Sequence, residues 1–154
     1  MICSRSSRTR WPDTAVTDHP DGSGQANSVA VVYQIDQDRQ RIHTRCVGEV
    51  TVEAVQEHFT VLGRDPTCPE VLDVLLDLSE MTNLPSSDQL GAVTVELARV
   101  APRVRFRHCA IVASQQALFG MARMFEVFAE KYFVATRVCR TLADGERWLD
   151  APVF

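Results

Sequence analysis

A chain of 154 residues, 45% of them apolar, with mean hydropathy −0.08, is sized for one domain and long enough to bury one hydrophobic core. Its net charge of −4 and pI near 5.5 exclude the non-specific nucleic-acid binding that depends on clustered Lys and Arg. No run approaches the ~20 consecutive apolar residues of a membrane span, so no membrane insertion is expected.

The five cysteines, at 3, 46, 68, 109 and 139, form no CxxC pair and have no short spacing to a histidine, so no metal ligand is assigned. Cys46, Cys109 and Cys139 fall in strand-like runs, where a free thiol behaves as a small buried hydrophobe. A reducing, cytoplasmic setting is the expectation, since the N-terminus also lacks the apolar region of a secretory signal.

Residues 1–28 are rich in Ser, Arg, Asp, Thr and Gly without apolar period and read as a disordered tail, with Trp11 either exposed there or anchoring a partner. The domain is expected over residues 29–150. VAVVYQID and RIHTRCVG, joined by a polar turn at Asp36 to Gln40, predict a β-hairpin. Thr51 is placed to cap a helix whose Val52, Val55, Phe59 and Leu62 recur on one stripe. His58 lies beside that stripe with no acidic or cysteine partner to define a site, and Gly63, Pro66 and Pro69 end the helix.

Val71 to Leu78 is nearly continuous apolar sequence broken by Asp73 and Asp77, which predicts a central strand covered on both faces, and Cys109 to Ala113 repeats the signature. Between them Leu90, Val93, Leu97 and Val100 predict a second helix, followed by Arg99, Arg103, Arg105 and Arg107, read as a solvated loop or a docking patch. A third helix is predicted from about Gln115 to Phe133, with Leu118, Met121, Ala122, Phe125, Phe128, Ala129 and Tyr132 on one broad stripe. A short strand, Ala135 to Arg140, and a capped helix, Thr141 to Leu149, complete the chain. The order β-β-α-β-α-β-α-β-α predicts an α/β fold with a single mixed, mostly parallel sheet, an N-terminal hairpin and four helices.

The chemistry of several α/β proteins is missing. There is no GxGxxG and no Walker lysine to cradle a nucleotide. Asp77 ends a central strand as in response-regulator receivers, but the first strand enters a hairpin and the sole lysine, Lys131, sits in a helix. No nucleophile elbow marks a Ser/His/Asp or Cys/His relay. No catalytic residue and no cofactor is therefore assigned.

Two segments do resemble a known family. DLSEMTNLPSSDQLGAV, Asp77 to Val93, is similar to the DLS…DSSGLGAL signature of anti-sigma-factor antagonists and the wider STAS fold, with Pro85 in place of the Asp and Asp88-Gln89 in place of one Gly. HCAIVASQQALFGMARMFEVFAE, His108 to Glu130, followed by a short strand and a Trp-bearing final helix, resembles the SpoIIAA-like family of small bacterial proteins, related to STAS and CRAL-TRIO domains. Together the resemblances cover residues 29–150 and imply a STAS-like domain.

In STAS regulators the serine opening the helix after the central strand is phosphorylated, and this releases a bound protein. By position that serine is Ser86 or Ser87, and a helix N-terminus does stabilise a dianion. The alternative is that Ser86 is simply the N-cap of a capping box with Gln89. On the third helix, Phe119, Met124 and Val127 are surplus to the apolar stripe, which marks them as an interface or ligand contact unless the final helix with Trp148 and Leu149 covers them.

The reading that follows is a non-enzymatic STAS-like module that binds a protein partner or itself. A binder of a small apolar or lipid-like ligand is the alternative, and an uncharacterised enzyme the third.

Overall fold

The computed structural model describes residues 30–151, and the expected tail with Trp11 lies outside the described residues. Within them the chain runs β1 (Val31–Asp36), β2 (Arg41–Gly48), α1 (Val52–Arg64), β3 (Val71–Met81), α2 (Ser87–Val100), β4 (Arg105–Val112), α3 (Gln116–Phe128), β5 (Ala135–Cys139) and α4 (Leu142–Asp150). The expected element order is the observed one.

The five strands form one sheet in the order β1-β2-β3-β4-β5, with β1 antiparallel to β2 and the rest parallel. The hairpin turn is made by Asp36, whose Oδ1 accepts the backbone amides of Asp38 and Arg39, and by Gln40 in the left-handed region at φ 50°. Because the strand order never reverses, all three crossovers step the same way across the sheet. Right-handed crossovers then bring α1, α2 and α3 to one face. Only α4, following the last strand, returns over the other.

The alternation of the strands follows this asymmetry. On β3, Leu72, Val74, Leu76 and Leu78 pack into the large core beneath α1–α3, while Leu75, with Ala110 and Val112 of β4, meets Leu149, Leu142 and Trp148 of α4. Asp73 and Asp77, which interrupt the apolar run, share the side of Leu75. On the core face of β3, Leu72 and Leu78 are buried while Val74 and Leu76 are partly buried, and the other face is shared with polar groups.

Three boundaries differ from expectation. β3 continues through Ser79 and Glu80 to Met81, because Val47 pairs with Glu80 and Gly48 with Met81 and so extend the ladder, and Arg45 forms an ion pair with Glu80. β4 starts at Arg105, so Arg105 and Arg107 belong to a strand rather than a loop, and Arg107 reaches buried Asp73 at 3.2 Å. α3 ends at Phe128, which is 42% exposed instead of lying on the buried stripe. The core position at that end is taken by Phe133, packed on Phe106 with ring centroids 5.4 Å apart.

Candidate ligand-binding site

Between the sheet and its three-helix face lies a cavity of about 150 Å³. Its floor is the inner face of four strands, with Val31 from β1, Ile42 and Thr44 from β2, Leu76 and Leu78 from β3, and Cys109 and Ile111 from β4. Its roof is built from the helix stripes: Val55, Phe59 and Leu62 of α1, Leu90, Val93 and Leu97 of α2, and Met121, Ala122 and Phe125 of α3. These are the residues that the 3.6-residue periodicity turns inward, so the same pattern that closes the core also encloses the space. No Asp, Glu, Lys or Arg lines it among the described residues.

The lining reaches the surface at the carboxyl ends of the strands, where Thr51 and Val52 open α1 and Pro85 and Gln89 open α2. Asn83 ties the two entry loops together, its side-chain oxygen accepting the Val50 amide at 2.8 Å and its Nδ2 donating to the Val50 carbonyl at 2.9 Å. Thr51 caps α1 by accepting from the Ala54 amide. Ser86 caps α2 in a complete capping box: its Oγ accepts from the Gln89 amide at 3.2 Å, and Gln89 Oε1 accepts from the Ser86 amide at 2.8 Å. The Ser86 hydroxyl is engaged in this cap, whereas Ser87 is the exposed first residue of the helix.

His58 is the polar residue that sequence alone did not bring to the site. Its ring lines the cavity and stands edge-on to Tyr33, centroids 5.3 Å apart. Its Nδ1 is buried with no hydrogen-bond partner, and burial pulls its pKa down from 6.5 to about 4, so the imidazole is neutral at physiological pH. The signal was present in the spacing. His58 follows Val55 by three and precedes Leu62 by four, which is the inward face. Nearby, the Tyr33 hydroxyl donates to Asp65 at 2.7 Å, and burial with this carboxylate pushes the phenol up to about 12, fixing β1 to the end of α1.

The cavity thiols are unreactive by environment. Burial pushes Cys46 up to about 12 and raises Cys109 further, so neither supplies a thiolate near neutral pH.

Of the three α3 residues singled out in the sequence, none lines the cavity. Met124 is 47% and Val127 69% exposed, while Phe119 is half-buried beneath the Arg140 guanidinium, 3.8 Å from its ring centroid. α4 packs on the opposite face of the sheet and does not cover them. A second polar cluster lies under α4: buried Asp73 accepts from the His108 amide, sits 3.4 Å from His108 Nδ1 and pairs with Arg107, and His108 stands edge-on to Trp148. Arg41, also buried, donates to Asp150 at 2.8 Å and pins the end of α4. These contacts attach the lone helix to its side of the sheet.

No protein-family model matches the sequence, and no curated protein matches it. Among solved structures, the chain is similar to an uncharacterised protein of the DUF3478 family from Shewanella loihica PV-4, described as having a SpoIIAA-like fold. The alignment covers 78% of this chain and 92% of the other at a TM-score of 0.51 and 16% identity. The fold is SpoIIAA-like. The hairpin entry, the parallel sheet and the four helices all fit this assignment, and at such identity the likeness carries the fold and no site. Within the SpoIIAA-like domain, among the described residues, no helix is long and apolar enough to cross a membrane.

Proposed function

We propose that this SpoIIAA-like chain is a non-enzymatic binding module whose working site is the cavity beneath α1–α3, and that it takes up a small apolar molecule there. The observation that carries this reading is the cavity itself: native interiors close to crystal-like density and leave few voids larger than a water, so about 150 Å³ of uncharged space reaching the surface at the strand ends is a feature to be explained. The free thiols of Cys46, Cys68, Cys109 and Cys139 fit a reducing, cytoplasmic setting.

The test is native mass spectrometry of freshly purified protein beside Ala122→Phe, which fills the space from α3. A co-purifying small molecule on the wild type that is absent from the filled variant, with the variant still folded, supports the reading. An empty wild type whose melting temperature no small apolar compound raises overturns it.

A second reading, docking of a protein partner or of a second copy, is favoured by a different observation. Met124, Val127 and Phe128 form an exposed apolar strip on α3, with Val134 beyond it at 73% exposure. On this reading the regulatory serine is Ser87, since Ser86 is occupied as a cap, and a phosphate there adds a dianion at the positive end of α2.

A further inference from the structure

Resting on the second reading, of α3 as a docking strip, we propose that the partner is a second copy of this chain, with the two α3 helices packed antiparallel about a two-fold axis near Met124. The outward line of α3 runs through Gly120, Met124 and Val127, with Phe128 on one flank and Arg123 and Glu126 on the other. Met124, Val127 and Phe128 are 47%, 69% and 42% exposed. A solvated helix face ordinarily carries charged or polar groups, and the centre of this one carries a glycine followed by large apolar side chains.

Two features say what covers it. The first is the distribution of size. The bulk lies at the carboxyl end, in Val127 and Phe128, and the gap lies at exposed Gly120, where an added Cβ would meet nothing within 4 Å beyond its own helix. Gly120 and Phe128 stand four residues either side of Met124, so a second copy turned end for end sets its Phe128 over this gap and receives Phe128 over its own. Every contact is made twice, as a two-fold interface requires.

The second feature is charge. End-for-end pairing brings Arg123 beside Glu126 of the second copy, and Glu126 beside its Arg123, extending the pair that the two side chains make within one chain at 3.3 Å. A parallel pair would instead set Gly120 on Gly120, leaving a void, and Arg123 on Arg123. Area sets the strength. The 13 residues of α3 span about 20 Å, which with Val134 beyond them gives a contact at the low end of specific interfaces, below about 1,200 Å² in total. The dimer is therefore weak and concentration-dependent.

The experiment is sedimentation of the full chain from about 5 μM to about 500 μM, the range in which so small an interface should pass from monomer to dimer. Met124→Glu sets two carboxylates against each other on the axis and should weaken the dimer about tenfold or more with the melting temperature kept. Arg123→Glu and Glu126→Arg should each weaken self-association about threefold by facing like charges. An equimolar mixture of these two variants should recover a heterodimer, because each chain then meets the opposite charge on the other. Loss of the pair within one chain would produce no such recovery.

A wild type that stays monomeric overturns the proposal and leaves the strip to an unlike protein. A dimer as tight in Met124→Glu as in the wild type puts the contact elsewhere, and the docking reading of the strip falls with the proposal. A dimer lost in Met124→Glu, in which mixing the charge variants recovers nothing, keeps the strip as the contact and overturns the antiparallel pairing.

Discussion

His58 shows how one side chain connects local spacing to behaviour in solution. Its pKa is 6.5 when free and about 4 in the folded chain, so between those values the unfolded state takes up a proton that the folded state refuses. Stability therefore falls as pH drops from about 6.5 to about 4 and levels off on this account below that, by up to about 3 kcal/mol for this group. Urea midpoints measured from pH 7 to pH 4 should show the slope, and His58→Leu should reduce it. Some slope will remain in the variant, because burial also lowers the pKa of His43. An unchanged slope in His58→Leu would show that the imidazole is hydrated in the folded state.

At the scale of elements, α2 and α3 carry the two features that the sequence singled out, and each separates structural from functional roles. Ser86→Ala removes one half of a capping box and should cost about 1 kcal/mol in a denaturant midpoint, while Ser87→Ala, at an exposed first position, should be near neutral. A phosphate switch at this helix start predicts that Ser87→Asp weakens partner capture with the melting temperature kept. Equal partner binding by wild type and Ser87→Asp would sink the switch.

On α3, Met124→Glu changes a side chain that is already 47% exposed, so the fold should survive. If the strip joins two copies, sedimentation of the wild type at rising concentration should reveal a dimer that the variant lacks. A monomeric wild type would leave the strip to a different protein. The serines were legible because capping chemistry is local. The cavity was not, since which stripes face one another, and with what gap, depends on the sheet order.

At the scale of the molecule, the element sequence was readable because each strand and helix announces its own period, and alternation after the hairpin commits the sheet to parallel pairing. What lay beyond reach was the distribution of helices. The stripe of α3 is assigned in the sequence to closing the core, yet three of its residues, Met121, Ala122 and Phe125, roof a space shared by three helices, while the surplus residues Phe119, Met124 and Val127 stay outside it. Likewise Asp73 and Asp77 looked like interruptions of a doubly buried strand, when their face is the one that α4 alone protects. Long-range pairs such as Asp73 with Arg107 and Arg41 with Asp150 come from residues whose separation in sequence gives no local sign of contact.

The lone helix yields the last prediction. α4 covers its face of the sheet through a close approach at Gly145, where an added Cβ would lie 3.1 Å from Leu75 Cδ1 and 3.1 Å from Val112 Cγ2. Gly145→Ala places one methyl in that gap while removing the cost of about 1 kcal/mol that glycine imposes inside a helix, so the two effects oppose and the net change should be small. Gly145→Val adds two further carbons with a stiff χ1 and cannot be accommodated by shifting one leucine methyl. It should push α4 off Leu75 and Ala110, strain the Arg41 to Asp150 contact and cost about 1–3 kcal/mol by overpacking. Because the ligand cavity lies on the far side of the sheet, binding of toluene to the folded fraction should be unchanged. Loss of binding at full folding in Gly145→Val would mean that the two faces communicate through β3 and β4, contrary to the separation of the two cores.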